Sequence, residues 1–203
     1  MRCKEKIDTM DRREYLDDIL NCLQTKEKVD ASINPNLERI LKLIETNLFR
    51  PLPKLIIVKI EAENTMNTTH DQMIDPTWNL VKPVYDILIK ILESEFADHK
   101  IVKAWMNDGI IIQKLLDLFD SENVTERETL RMVLHLIYLK LMSVRKTVRK
   151  CYTDLFLRLI HEEYKFNGVS EILDIVASII SGFSVPIKDE HTQFFNTVIM
   201  PLH

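Results

Sequence analysis

Residues 115–163 read LLDLFDSENVTERETLRMVLHLIYLKLMSVRKTVRKCYTDLFLRLIHEE, followed by FNGVSEILDIVASIISGFSVPIKDEH (166–191) and FFNTVIMPLH (194–203). Apolar residues recur three and four apart throughout: Leu130, Val133, Leu134, Ile137, Leu141; Val148, Tyr152, Leu155, Phe156, Leu159; Ile172, Ile175, Val176, Ile179; Phe194, Phe195, Val198, Leu202. A 3.6-residue period carries such positions onto one stripe of a helix, so each run reads as an amphipathic helix with a buried face.

The same spacing extends upstream through Leu16, Ile19, Leu20, Leu23; Leu37, Ile40, Leu41, Ile44, Leu48; and Trp78, Val81, Tyr85, Leu88, Leu92. Asn34-Pro35 and Asp75-Pro76 place a capping side chain before a proline, which tolerates a first helical turn because its missing N–H would be unpaired there; helix starts near 35 and 76 follow. Asn107-Asp-Gly109, Asn167-Gly168 and Val185-Pro186 punctuate the pattern where one stripe gives way to the next. In the second half, helices recur roughly every 20 residues and a pair occupies about 40, the period of HEAT-like arrays. The expected fold is all-α, a HEAT-like α-solenoid of stacked antiparallel helix pairs forming a single repeat domain over 1–203; an irregular helical bundle satisfies the same spacing.

One segment departs from this rule. Pro51-Leu-Pro53 and the β-branched run Leu55–Ile60 lead into 61–72, which reads as polar loop, so 54–75 is expected to be a divergent loop or insertion.

Composition narrows the function. Apolar residues make up 46% of 203, enough for a continuous core. The only glycines are Gly109, Gly168 and Gly182, and neither GxGxxG nor GxxxxGK[ST] occurs, which disfavours the usual nucleotide enzymes. A formal net charge of −4 argues against a surface that follows polyanions as a whole, so any basic site must be local. Cys3, Cys22 and Cys151 form no CxxC pair, which points to a reducing compartment rather than a disulfide framework or a zinc site. The charged first residues and the short apolar runs lead us to expect no signal peptide and no membrane span, and the sequons at Asn67 and Asn123 read as chance matches. The six histidines lie apart and His161-Glu162-Glu163-Tyr164-Lys165 lacks the second histidine of HExxH, so no metal, cofactor or catalysis is expected. Carboxylates such as Glu93/Glu95 and Glu126/Glu128 read as solvated helix faces.

The basic knot Arg145-Lys-Thr-Val-Arg149-Lys150 is of a different kind. Arg145 and Arg149, four apart, share one helix face, with Lys146 and Lys150 in a row beside them. Guanidinium forks match carboxylate or phosphate with parallel charge-assisted hydrogen bonds, which suits an acidic or phosphorylated peptide. An ordinary solvated face is the plainer reading of the same residues, and nucleic acid is disfavoured by the acidic total and the few nearby aromatics.

The residues quoted above, with NLFRPLP at 47–53 and Arg12-Arg-Glu-Tyr-Leu near the start, resemble the B-prime (B56) regulatory subunits of protein phosphatase 2A over most of the chain, with divergence concentrated in 54–75. What this resemblance implies is a non-catalytic targeting subunit that joins a scaffold subunit and a catalytic subunit. It further implies capture of substrates or adaptors carrying acidic LxxIxE-type motifs, in a groove between neighbouring repeats, with a cytoplasmic location and the nucleus as a second one. Carried over by position, the groove wall comprises His135, Tyr138, Arg145, Arg149, Ile175, Ile179, Lys188 and His191. In these roles Ile175 and Ile179 line a pocket for an aliphatic anchor, Arg145 meets the acidic residue, and Lys188, Arg149 and His191 attract flanking anions. By spacing alone the two isoleucines read as core.

One departure bears on affinity: the family has arginine directly after the histidine, where this chain has Leu136. Loss of a charge-assisted contact costs roughly 1.5–3 kcal/mol, so weaker binding of the usual motif, or a different motif, is expected. The resemblance also implies further repeats after 203, so the expectation is a fragment or a shortened homologue with an uncovered apolar end. The alternative function is a standalone helical-repeat scaffold that has lost phosphatase binding.

Overall fold

A computed structural model describes residues 13–54, 56–60, 70–162, 165–182 and 185–202. Cys3, Arg12, the sequon at Asn67, Phe183, His203 and the centre of the 54–75 connection, residues 61–69, lie outside the described residues.

Helix α1 covers 13–22. A helical lead-in, Lys26–Asn36, then tightens from a π turn at Val29–Ile33 to a 3₁₀ turn at Asn34–Asn36 before α2, Leu37–Leu48. The expected cap at Asn34 is not made. Its amide instead donates to the Phe96 carbonyl at 2.9 Å and accepts from the Asp98 N–H at 2.9 Å, tying the lead-in to a loop 62 to 64 positions further on. Asp75 does act at a helix start: its carboxylate accepts from the Thr77 N–H and hydroxyl, each at 2.8 Å, immediately before α3, Trp78–Glu93. Helices α4 (His99–Met106) and α5 (Ile110–Asp117) follow, then α6 (Val124–Lys140), α7 (Arg145–His161), α8 (Val169–Ser181) and α9 (Asp189–Phe194), which runs on through a π turn to Ile199 and a 3₁₀ turn to Leu202.

The turn between α4 and α5 depends on Gly109, at φ +81°, where a Cβ would be strained and would press within 3.0 Å of Thr147 Cγ2. At the start of α8, Gly168 admits the 118–120 turn so closely that a Cβ would sit 2.5 Å from the Phe119 carbonyl oxygen. Both glycines stand at helix junctions, where sequence punctuation placed them.

Packing follows the stripes. In one row α2 contacts α3, α3 contacts α6 and α6 contacts α8; in another α4 contacts α5, α5 contacts α7 and α7 contacts the turns after α9. Between the rows lies a continuous core from Leu16 to Val198, with Tyr85, Phe119, Tyr152 and Phe156 its largest fully buried side chains. Phe195 departs from its stripe and is 41% exposed, because the π turn rotates it away from the face shared by Phe194 and Val198. The chain is predominantly helical, and no helix among the described residues is long and apolar enough to cross a membrane.

The 54–75 connection is not loop throughout. Ile56–Ile60 (β1) pairs antiparallel with His70–Ile74 (β2), Ile56 opposite Ile74 and Ile60 opposite His70. The expected polar loop therefore gives way to strand from His70 onward, since strand pairing satisfies the backbone of an otherwise long excursion.

A second correction concerns Glu126, expected on a solvated face and found fully buried. Arg50 donates to it through both terminal nitrogens (2.8 and 3.2 Å), Tyr85 Oη at 2.9 Å and Ser121 Oγ at 2.8 Å. Asp75 stands 3.7 Å from Arg50 and accepts from Asn123 Nδ2 at 3.3 Å, so the root of the β ribbon joins the same network. Burial opposes charge on Asp75, but the Thr77 and Asn123 hydrogen bonds and the Arg50 charge outweigh it and hold the carboxyl below its usual value. Burial likewise opposes charge on Arg50, and Glu126 more than restores it. Beside this network Arg127 Nε donates to Glu171 at 2.7 Å and links α6 to α8. Asn123, one of the two sequon asparagines, caps α6 by accepting from the Thr125 and Glu126 N–H groups.

Candidate functional site

The C-terminal half of α6, the first two turns of α7, the end of α8 and the start of α9 enclose a groove of about 630 Å³. Of the eight residues expected to form a binding wall, seven line it: His135, Tyr138, Arg145, Arg149, Ile179, Lys188 and His191. The eighth, Ile175, lines an adjoining depression of about 440 Å³ that shares His135 and Ser178 with the groove. The two form one furrow along α6 and α8. Leu139, Met142, Ser143, Lys146, Ser178, Gly182 and Glu190 complete the groove.

Ile175 and Ile179 are 2% and 5% exposed, so they serve the core first and offer only an edge to the furrow. The exposed apolar surface comes instead from Leu139 (51%), Met142 (71%) and, two turns before Leu139 on α6, Met132 (50%). Sequence reasoning missed these residues because each lies off the buried stripe. Leu136 is partly buried and packs against the core.

Arg145 closes the end of α6. Its Nε donates to the Tyr138 carbonyl at 2.7 Å and one Nη to Leu139 at 3.3 Å, and its guanidinium lies 5.0 Å from the Tyr138 ring centroid. These carbonyls have no partner within the helix and carry its negative dipole end, so they orient the cation without neutralising it. A guanidinium has five N–H donors and the carbonyls take two, which leaves a fork able to meet an anion from the groove.

Arg149 is placed differently. One Nη donates to Tyr138 Oη at 3.2 Å and the other to Glu190 Oε1 at 3.1 Å, with the arginine side chain 14% exposed and the glutamate 50%. Glu190 Oε1 also lies 3.4 Å from His191 Nε2. Burial and the charges of Arg149 and Lys188 hold the His191 imidazole below its ordinary value, against the opposing pull of Glu190. The two arginines named together in the sequence therefore differ: Arg145 faces neutral carbonyls, and Arg149 faces a carboxylate. Glu190 was overlooked, although its place between Lys188 and His191 was the available signal.

The groove presents cations over an apolar floor. Among the described residues no three His, Cys, Asp or Glu side chains are grouped to hold a metal ion. The arrangement suits recognition of an anionic, partly apolar segment.

Residues 3–203 match the family described as protein phosphatase 2A regulatory B subunit (B56 family). In Schizosaccharomyces pombe, the delta 1 isoform of the 56 kDa regulatory subunit is 36% identical over 194 residues, which is 95% of this chain and 34% of that protein. In Arabidopsis thaliana, the B' beta isoform of the 57 kDa regulatory subunit is 35% identical over 193 residues, 95% of this chain and 38% of its own length. The Homo sapiens beta isoform of the 56 kDa regulatory subunit is 35% identical over 192 residues, 95% and 37% respectively. The chain thus spans between about a third and two fifths of the length of these relatives, which are named as regulatory rather than catalytic subunits. By family match and identity alike, this chain belongs to the B56 family of protein phosphatase 2A regulatory subunits.

Proposed function

We propose that this chain acts as a non-catalytic targeting subunit of a PP2A-type serine/threonine phosphatase, binding the scaffold and catalytic subunits and capturing acidic LxxIxE-like segments in the furrow between α6 and α8. The observation that carries this reading is the convergence of His135, Tyr138, Arg145, Arg149, Ile179, Lys188 and His191 on one groove. Arg145 is the principal anion contact, oriented by the end of α6 and opposed by no carboxylate among the described residues. Leu139 and Met142 supply apolar contact for the aliphatic part of the segment. The two rows of helices support a HEAT-like solenoid forming a single domain over 1–203. Its site of action is the cytoplasm, with the nucleus as a second location; neither nucleic acid nor membrane is a partner.

Two measurements test this. Co-purification at low salt is expected to recover the scaffold and catalytic subunits with the chain, whereas clean failure supports a standalone helical-repeat scaffold. Calorimetry with an LxxIxE peptide is expected to show binding that Arg145→Glu abolishes, because attraction becomes like-charge repulsion. Equal affinity in the two proteins overturns the groove assignment.

A further inference from the structure

Ile56–Ile60 and His70–Ile74 form a sheet of two strands, and among the described residues no helix packs along either of them. Each strand therefore keeps one edge on which alternate residues direct their backbone N–H and C=O groups away from the ribbon. Such an edge is a template for a further strand, and natural edges are commonly blunted by proline, by a bulge or by charge. β1 carries little of this protection: its register with β2 is unbroken, its sequence is Ile-Ile-Val-Lys-Ile, and Lys59 is its only charge. β2 begins instead with His70, Asp71 and Gln72. The ribbon is also held ready at its base. Arg50 before β1 and Asp75 directly after β2 are fastened to the helix junction, which lowers the ordering cost of an association there.

We propose that the outer edge of β1 pairs antiparallel with the same edge of a second copy of this chain, joining two ribbons into one four-stranded sheet of order β2-β1-β1-β2. Pairing centred on Val58 sets Ile56 opposite the second copy's Ile60, Val58 opposite Val58, and Ile57 opposite Lys59. By strand alternation Ile56, Val58 and Ile60 share one face, so every β1 position on that face is β-branched and apolar in both copies. Charge selects the direction. In-register parallel pairing would set Lys59 beside Lys59, whereas the antiparallel arrangement opposes it to Ile57, and within its own ribbon Lys59 is registered against Asp71. Direction in turn sets the symmetry: an antiparallel pair of identical edges is related by a two-fold axis, uses the same edge on both copies and closes as a dimer. The edges left over are both β2, whose His70, Asp71 and Gln72 disfavour further addition. Because β1 is complementary to itself in register and in charge, the occupant is a second copy and not an unrelated segment. A single strand pair is a small interface, so the dimer is a weak, concentration-dependent one.

The test is sedimentation equilibrium of the full chain over about 1–300 µM, with Val58→Lys and Gln72→Lys as variants. Both changes add the same charge to the same ribbon, at positions registered opposite one another, but only position 58 meets itself across the two-fold axis. The unaltered chain is expected to pass from monomer to dimer with no larger species. Gln72→Lys is expected to hold the dimerisation constant within about twofold, and Val58→Lys to weaken it about tenfold or more. Val58→Cys gives a readout that requires no tolerance of a new charge: mild oxidation is expected to link position 58 of one copy to position 58 of the other, located by peptide mass spectrometry, while Gln72→Cys forms no such link. A chain that stays monomeric throughout the range overturns a second copy as the occupant of this edge. Equal dimerisation of Val58→Lys and Gln72→Lys, or a Val58→Cys dimer without the 58-to-58 link, overturns it as well.

Discussion

Arg50 and Glu126, 76 positions apart in sequence, meet in a two-point ion pair of 2.8 and 3.2 Å at the junction of α3, α6 and the β ribbon. The arginine is 15% exposed and the glutamate fully buried. Removing one partner leaves the other charged and out of water, so Arg50→Ala or Glu126→Ala is expected to cost about 3–5 kcal/mol in urea unfolding. Joint replacement by Met and Leu is expected to recover most of that loss. A cost below about 1 kcal/mol for either single change would show that water already solvates the pair.

Asp75 gives this network a pH dependence. Its folded carboxyl titrates below the ordinary value, so the unfolded chain binds more protons and stability rises with pH. The contribution is complete above the unfolded value of roughly 3.9 and is lost as pH falls through the lower folded value. Asp75→Asn is therefore expected to reduce stability at pH 7 and to flatten the acid limb below about pH 4 in urea titrations. An acid limb identical in both proteins would remove Asp75 as its source.

Gly168 and Gly182 form a matched pair for substitution. A methyl group on Gly168 would meet the Phe119 carbonyl oxygen at 2.5 Å, whereas on Gly182 the nearest atom is 3.5 Å away. Gly168→Ala is expected to destabilise by about 1–3 kcal/mol, through a shift of α8 from the 118–120 turn. Gly182→Ala should leave the unfolding free energy within about 0.5 kcal/mol of its original value.

Leu136 stands where the family resemblance implies arginine, directly after groove residue His135. Leu136→Arg is expected to raise affinity for an LxxIxE peptide about tenfold, the effect of one added charge-assisted contact. Because Leu136 packs partly on the core, the new side chain's aliphatic stem must keep that contact while the head turns to the groove. Equal affinity by calorimetry would mean that the orientation of position 136 denies the head access.

The buried stripes of α3, α6, α7 and α8 were legible because a helix buries one side and repeats it every three or four residues. Ile172, Ile175, Val176 and Ile179 illustrate this, all buried as their spacing requires. The pairing of Arg145 with Arg149 was legible for the same geometric reason. Glu126 was not, since its own helix offers no sign of burial and the residue that accommodates it lies in another segment. Glu190 escaped notice for a related cause: its partner Arg149 is 41 positions away, and local sequence records charge without recording what that charge faces. The strand His70–Ile74 was hidden by polar composition, because its pairing with Ile56–Ile60 is dictated by backbone hydrogen bonds.

The feet of that ribbon carry a consequence for how this chain tolerates change. Arg50 before β1 and Asp75 after β2 are fastened to Glu126 and Asn123 on the neighbouring helix junction, and Ile56 is registered against Ile74 just above them. Closure is thus set at the base, independently of the sequence carried between the strands. Asp75→Ala, which unfastens one foot, should therefore lower the melting temperature, whereas an unchanged value would show that the ribbon's base does not depend on it. The ribbon is in effect bolted to the helix junction at its two ends, so its seating is decided by four polar side chains and not by the strands themselves.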